Sequence, residues 1–66
     1  MQLRVNGDEV ELANEATIDD VLQRIGVDKA GLAVAVDSEV VPRTDWTSFT
    51  LRDGQRVEVL RAVQGG

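Results

Sequence analysis

Cysteine and histidine are both absent from this chain of 66 residues. Their absence excludes zinc clusters, disulfide frameworks, thiol redox motifs and every nucleophile–histidine catalytic arrangement. Ser38, Ser48, Thr44 and Thr50 therefore have no base to activate them and read as turn and strand residues. A substrate pocket of roughly 300 Å³ or more would consume most of the core that so short a chain can build, which argues against an independent enzyme. Long apolar runs are missing too. The longest, Leu32 to Val36, falls far short of the roughly 20 residues that span a bilayer, and no amino-terminal segment joins basic residues to an apolar stretch. The expectation is a soluble, cytoplasmic protein with no membrane partner. Excess positive charge is the last absence: 7 Lys+Arg against 12 Asp+Glu give a formal net charge of −5. The phosphate-neutralising stripe that nucleic-acid binding needs is lacking. The acids are concentrated in residues 1–39, where nine carboxylates face Arg4, Arg24 and Lys29, a balance of −6. A protein partner with a basic surface fits that half of the chain.

What is present suffices for one small domain. A chain of this size buries only about 60% of its unfolded surface, and at 42% hydrophobic it can supply a core without staples. Met1, Leu3 and Val5 alternate with polar residues, Asn6-Gly7 follows, and Val10 and Leu12 resume the alternation. Asn-Gly accepts positive φ at both central positions of a two-residue turn, so the opening is a β-hairpin. Thr17 with Asp20 three residues on is a capping pair, and Asp19 and Asp20 face the positive end of a helix dipole. Ile18, Val21, Leu22 and Ile25 form the i, i+3, i+4, i+7 face, and Gly26 followed by Val27 ends the helix.

Leu32 to Val36 reads as a strand covered on both faces, Asp37-Ser38 as a turn, and Val40-Val41 as a brief strand that Pro42 stops. Trp46, Phe49 and Leu51 anchor an irregular stretch, Asp53-Gly54 is a hairpin-type turn, and Arg56 to Val63 is the final strand. This order predicts an α+β fold in which one helix packs on a mixed sheet of four to five strands. The ubiquitin-like β-grasp has the same order, with its first and last strands parallel at the sheet centre. Residues 1–63 are then the domain, and 64–66 a flexible reactive tail.

That tail ends Gln64-Gly65-Gly66. Without Cβ atoms two glycines can enter a narrow channel and approach a reactive centre closely. A terminal carboxylate, with a reference pKa of about 3.3–3.7, is ionised at neutral pH and can attack the α-phosphate of ATP. The acyl-adenylate so formed is a good acyl donor, and sulfur from elsewhere could convert it to a thiocarboxylate. The plain alternative is an ordinary frayed terminus. Neighbouring carboxylates have blander readings: Asp19-Asp20 belong to a helix first turn and Glu9-Glu11 to a solvated strand face.

Ala33-Val34-Ala35-Val36-Asp37, then Val40-Val41-Pro42-Arg43, Trp46, Asp53-Gly54 and Gly65-Gly66 together resemble the thiamine-biosynthesis sulfur carrier family, often called ThiS. The resemblance covers essentially the whole chain, and Val-Pro-Arg-x-x-Trp at Val41 to Trp46 is its most specific part. Asp37 departs from it, at a turn position where asparagine is expected. The resemblance implies a β-grasp carrier, itself without cofactor, metal or catalysis. Its Gly66 carboxylate would be adenylated, with ATP and Mg²⁺, by a ubiquitin-activating-enzyme-like adenylyltransferase and converted to a thiocarboxylate. The sulfur, from a donor such as a cysteine desulfurase relay, would pass to thiazole synthase. Gly66 carries over as the modified residue, Gly65 and Gln64 as tail positions needed for entry into partner sites. Alternatives are a carrier like the small subunit of molybdopterin synthase and a non-catalytic acidic interaction module.

Three further residues are candidates for a partner interface. If Val57 and Val59 face the helix, Leu60 and Ala62 fall on the opposite face, where an apolar spot beside the tail suits an enzyme contact; a bulge could instead turn Leu60 inward. Arg43 is either an ion pair or a partner contact. Trp46 reads as the closure of one end of the core.

Overall fold

A computed structural model describes residues 1–61 of the chain. Five strands, β1 (Gln2–Val5), β2 (Asp8–Glu11), β3 (Leu32–Val36), β4 (Glu39–Val41) and β5 (Arg56–Arg61), and one helix, α1 (Ile18–Ile25), follow in the order β1, β2, α1, β3, β4, β5. The sheet order is β2-β1-β5-β3-β4. β1 and β5 are parallel at its centre, pairing Arg4 with Arg56 and Val5 with Val57, and the other neighbours are antiparallel. This is the expected β-grasp arrangement of one helix on a mixed sheet.

The helix forms where its ends are satisfied. Thr17 and Asp20 make a reciprocal capping box, and Gly26 terminates the helix at φ 73°, in the left-handed region. The remaining amino-terminal donors find carbonyls in the irregular stretch: the Ile18 N–H donates to Phe49 O at 3.2 Å and the Asp19 N–H to Trp46 O at 3.1 Å. The loop thereby satisfies backbone groups that a short helix leaves orphaned. It contains a 3₁₀ turn at Arg43–Asp45 and an isolated bridge between Thr17 and Thr50, neither of which the side-chain pattern signals.

Ile18, Val21 and Leu22 of α1 meet Leu3, Val5, Val34, Val36, Val41 and Val57 of the sheet, with Trp46 and Leu51 closing the cluster. Trp46 is 2% exposed, and its indole N–H donates to the Val41 carbonyl at 2.9 Å.

Two expectations need correction. β3 is covered on one face only: Val34 and Val36 are buried, while Ala33 and Ala35 on the other face are half-buried. A single helix can cover only one side of the sheet, and small side chains keep the other side of β3 low. Asp53-Gly54 is not a hairpin turn, because no strand leads into it. It grips the start of β1 instead, with the Gln2 N–H donating to Asp53 Oδ1 and the Gly54 N–H to Gln2 O, each at 2.7 Å. The final strand runs through Arg61; Ala62 and Val63 lie outside the described residues. No helix among the described residues is long and apolar enough to cross a membrane.

Candidate functional site at the carboxyl end of the central strand

β5 leads into the chain's last residues, and its position follows from the parallel pairing at the sheet centre. It enters beside the β3–β4 turn, where Val57 pairs with Val36, and leaves at the other end, where Arg61 pairs with Leu32. Gly66, Gly65, Gln64 and Ala62 lie outside the described residues. The site is therefore built from the end of the sheet that they follow.

At the entry end, Asp37 and Ser38 take φ of 49° and 71°. The Asp37 carboxylate accepts the Arg56 N–H and the Gln55 side-chain amide, each at 3.1 Å. The Arg56 backbone bond, then the Gln55 bond, hold its pKa below the ordinary carboxylate range. This is why an aspartate serves at the position where the family resemblance leads one to expect asparagine: both oxygens are occupied as acceptors, and no donor is asked of the side chain.

At the exit end Leu60 is 58% exposed. Its regular pairing with Ala33 leaves no bulge to turn it inward. Strand alternation puts Glu58 and Leu60 of β5, Ala33 and Ala35 of β3, and Val40 of β4 on the face away from α1. Val40, paired with Ala35, is 74% exposed, and with Leu60 it makes up the large hydrophobic side chains that stand exposed among the described residues. Sequence reasoning singled out Leu60 and missed Val40; the signal was available, because Val41 had to face the core and its neighbour therefore could not.

Arg43 stands at the same exit end. Its Nη2 donates to the Lys29 carbonyl at 2.9 Å, an oxygen that also accepts the N–H of Leu32, the pairing partner of Arg61. Its guanidinium carbon lies 5.7 Å from the centroid of the Trp46 ring. Neither contact is an ion pair; the charge of Lys29 is matched instead by Asp19. Arg43 thus ties the loop before β3 to the 3₁₀ turn. A depression of about 350 Å³ runs beside β4, lined in part by Asp37, Val40, Pro42, Asp45 and Phe49.

A family model described as the ThiS family matches residues 3–66. The chain belongs to the ThiS family. Among relatives of this ThiS-family chain, the sulfur carrier protein ThiS of Escherichia coli is 27% identical over 66 residues, the whole of both chains. The sulfur carrier protein ThiS of Thermus thermophilus is 38% identical over 50 residues, 76% of this chain and 78% of that one. A thiazole synthase of Paramagnetospirillum magneticum is 30% identical over all 66 residues, and the chain spans only 20% of its length. Among solved structures, the crystal structure of the thiamine biosynthesis protein (ThiS) from Geobacter metallireducens superposes with a TM-score of 0.85 at 30% identity, with full coverage of both chains.

Proposed function

We propose that this ThiS-family chain carries sulfur for thiamine biosynthesis, and that it does so through the carboxylate of Gly66. The observation that carries the proposal is the family match, which runs through residue 66 and so includes the diglycine end that the chemistry requires. Adenylation is the first step: a Gly66 oxygen attacks the α-phosphate of ATP, pyrophosphate leaves, and an acyl-adenylate forms. The terminal sulfur of a partner's persulfide then attacks the acyl carbon and displaces AMP; a thiol, on the partner or added, reduces the resulting acyl disulfide, which leaves the thiocarboxylate on Gly66 and a disulfide on the donor side. The chain supplies an acyl group and no catalysis, so the ATP and Mg²⁺ belong to an adenylyltransferase of the ubiquitin-activating type, and the sulfur comes from a donor such as a cysteine desulfurase relay. The cytoplasm is the compartment where ATP and these enzymes meet the chain.

Thiazole synthase is the acceptor in this proposal. Support comes from the thiazole synthase relative, in which a segment resembling this whole chain occupies one fifth of a single polypeptide. Residues 64–66 act as the tail that enters partner sites, with Gly65 kept unbranched for close approach. Leu60, with Ala62 two residues on, contributes to docking on the open sheet face, and Arg43 marks the same end of the sheet.

Intact-protein mass spectrometry tests the proposal. The untagged chain is incubated with ATP, Mg²⁺, a verified adenylating enzyme and a persulfide donor. A species heavier by one sulfur-for-oxygen replacement, absent when Gly66 is deleted, is the expected result. No adenylate and no thiocarboxylate would overturn it.

A further inference from the structure

The two central strands are unequal in reach. β1 pairs with β5 only at Arg4–Arg56 and Val5–Val57 and then turns away at Asn6-Gly7, whereas β5 continues to Arg61 and stays paired with β3 along that length. The Asn6 N–H donates to Val57 O at 2.9 Å, and beyond it β1 offers no further backbone partner. The next β5 groups on that side are the N–H and C=O of Val59, because backbone groups facing one neighbour recur at every second residue.

The Asn6 side chain meets both. Its Oδ1 accepts the Val59 N–H at 2.8 Å, and its Nδ2 donates to the Val59 carbonyl at 3.2 Å. A side-chain amide is chemically a peptide group, so Asn6 stands in for a residue that β1 does not have. The turn alone does not demand this. Asn6 has φ of 50°, which glycine or aspartate also tolerates, but of these three only the asparagine amide both accepts and donates. Two residues later in β5, the backbone of Arg61 faces the same side, where no strand of the described residues lies. Val59 is therefore the last point at which β5 is held from both sides.

We propose that Asn6 is a positioning residue for the reaction at the carboxyl terminus: its amide clamps Val59 and so fixes the direction in which the chain leaves the sheet toward Gly66. The inference rests on the proposed carrier function. From Val59 to Gly66 the chain can extend at most about 25 Å, and where that span begins decides which sites it reaches. Without the clamp, Val59 to Arg61 hang on β3 alone, and more backbone must be ordered when a partner takes up the tail. That added ordering weakens uptake without altering the chemistry once the tail is seated, which places the effect in KM rather than kcat.

The test compares the wild-type chain with Asn6→Gly, which keeps the turn and removes both bonds. Asn6→Asp keeps the acceptor for the Val59 N–H and sets a carboxylate against the Val59 carbonyl. Amide hydrogen exchange reports the clamp directly. Pyrophosphate release by a verified adenylating enzyme, with the carrier concentration varied, reports its consequence. For Asn6→Gly the expected results are lost protection at the Val59 amide and a rise in KM of about fivefold, with kcat within about twofold. Asn6→Asp falls between, and Thr17→Ala, destabilised far from β5, keeps the wild-type KM. Unchanged protection at Val59 overturns the inference, as does lost protection with unchanged KM, or a KM that rises equally in Thr17→Ala. A wild-type chain that yields no pyrophosphate overturns the carrier function itself, and the inference with it.

Discussion

Trp46→Phe separates a structural tryptophan from a recognition residue. The indole is 2% exposed and donates to the Val41 carbonyl at 2.9 Å, while the Asp19 N–H at the helix start donates to the Trp46 carbonyl. Phenylalanine keeps the aromatic body and the backbone bonds but removes the N–H donor and part of the buried area. Leaving the Val41 carbonyl without that donor costs about 1–3 kcal/mol. Losing a few tens of Å² of buried apolar contact adds about 1 kcal/mol. The sum, about 2–4 kcal/mol, is a large share of the roughly 3–10 kcal/mol that a domain of this length holds in total. It corresponds to a fall in Tm of about 10 °C or more. Urea unfolding followed by far-ultraviolet circular dichroism measures it without relying on the indole that the substitution removes. Rates of Gly66 activation below the transition should match wild type. A stability change under about 0.5 kcal/mol, or lost activation at unchanged stability, would refute the structural assignment and make Trp46 a contact residue.

Other perturbations test separate parts of the fold. Thr17→Ala removes the Oγ1 acceptor of the capping box, and thermal unfolding should show a loss of about 1 kcal/mol, or about 4–8 °C. The Asp37 pKa is lowered in the folded state by its bonds from Arg56 and Gln55. Its stabilisation is therefore fully present above the unfolded carboxylate pKa and is lost as pH falls through the lower folded value. Acid unfolding of Asp37→Asn should show a shallower decline across that window than wild type, and identical acid limbs would count against the assignment. Leu60→Asp places a charge on the open sheet face, where Leu60 is 58% exposed. Tm should move by only a few degrees while adenylation of Gly66 slows; an unchanged rate in a pyrophosphate-release assay would remove Leu60 from the interface.

Local signals in the sequence carried most of the fold. Asn6-Gly7 marks the hairpin, Thr17 and Gly26 bound the helix, and Pro42 ends β4, because in each case the chemistry that shapes the backbone sits within a few residues of the effect. Features set by distant partners were not legible. Asp53-Gly54 announces a reversal, but that it grips Gln2, 51 residues away, depends on where the sheet places β1. Asn6 reads as a turn residue, and its hold on Val59 spans 53 residues. The alanines of β3 gave the misleading signal, since a run of small apolar residues suits a strand covered twice and equally one whose open face must stay low. Arg43 could not be assigned because a backbone carbonyl leaves no trace in side-chain identity. For the candidate site the position was different: the diglycine end, on which the proposed chemistry rests, is a feature of the sequence itself, whereas the Val40 and Leu60 face required the register.

That register has a consequence for how substitutions in β5 act. Val57 is fully buried in the core, and Leu60, three residues on, lies across the sheet from it, so the core and the proposed docking surface share one strand without sharing a face. Val57→Ala removes two methyl groups from a packed cluster and acts through stability, by about 2 kcal/mol or more once the cavity is included. Leu60→Ala removes apolar area that water already reaches, so its effect must come from whatever partner covers the face. The proposed carrier function, in which partners take up the chain's end, needs this independence. Were the exposed leucine part of the core, every change tuning partner affinity would also shift the small stability margin of a domain this short. One helix on one side of the sheet secures the separation, because the face it leaves uncovered is held flat by Ala33 and Ala35 and can change its remaining side chains without repacking the interior.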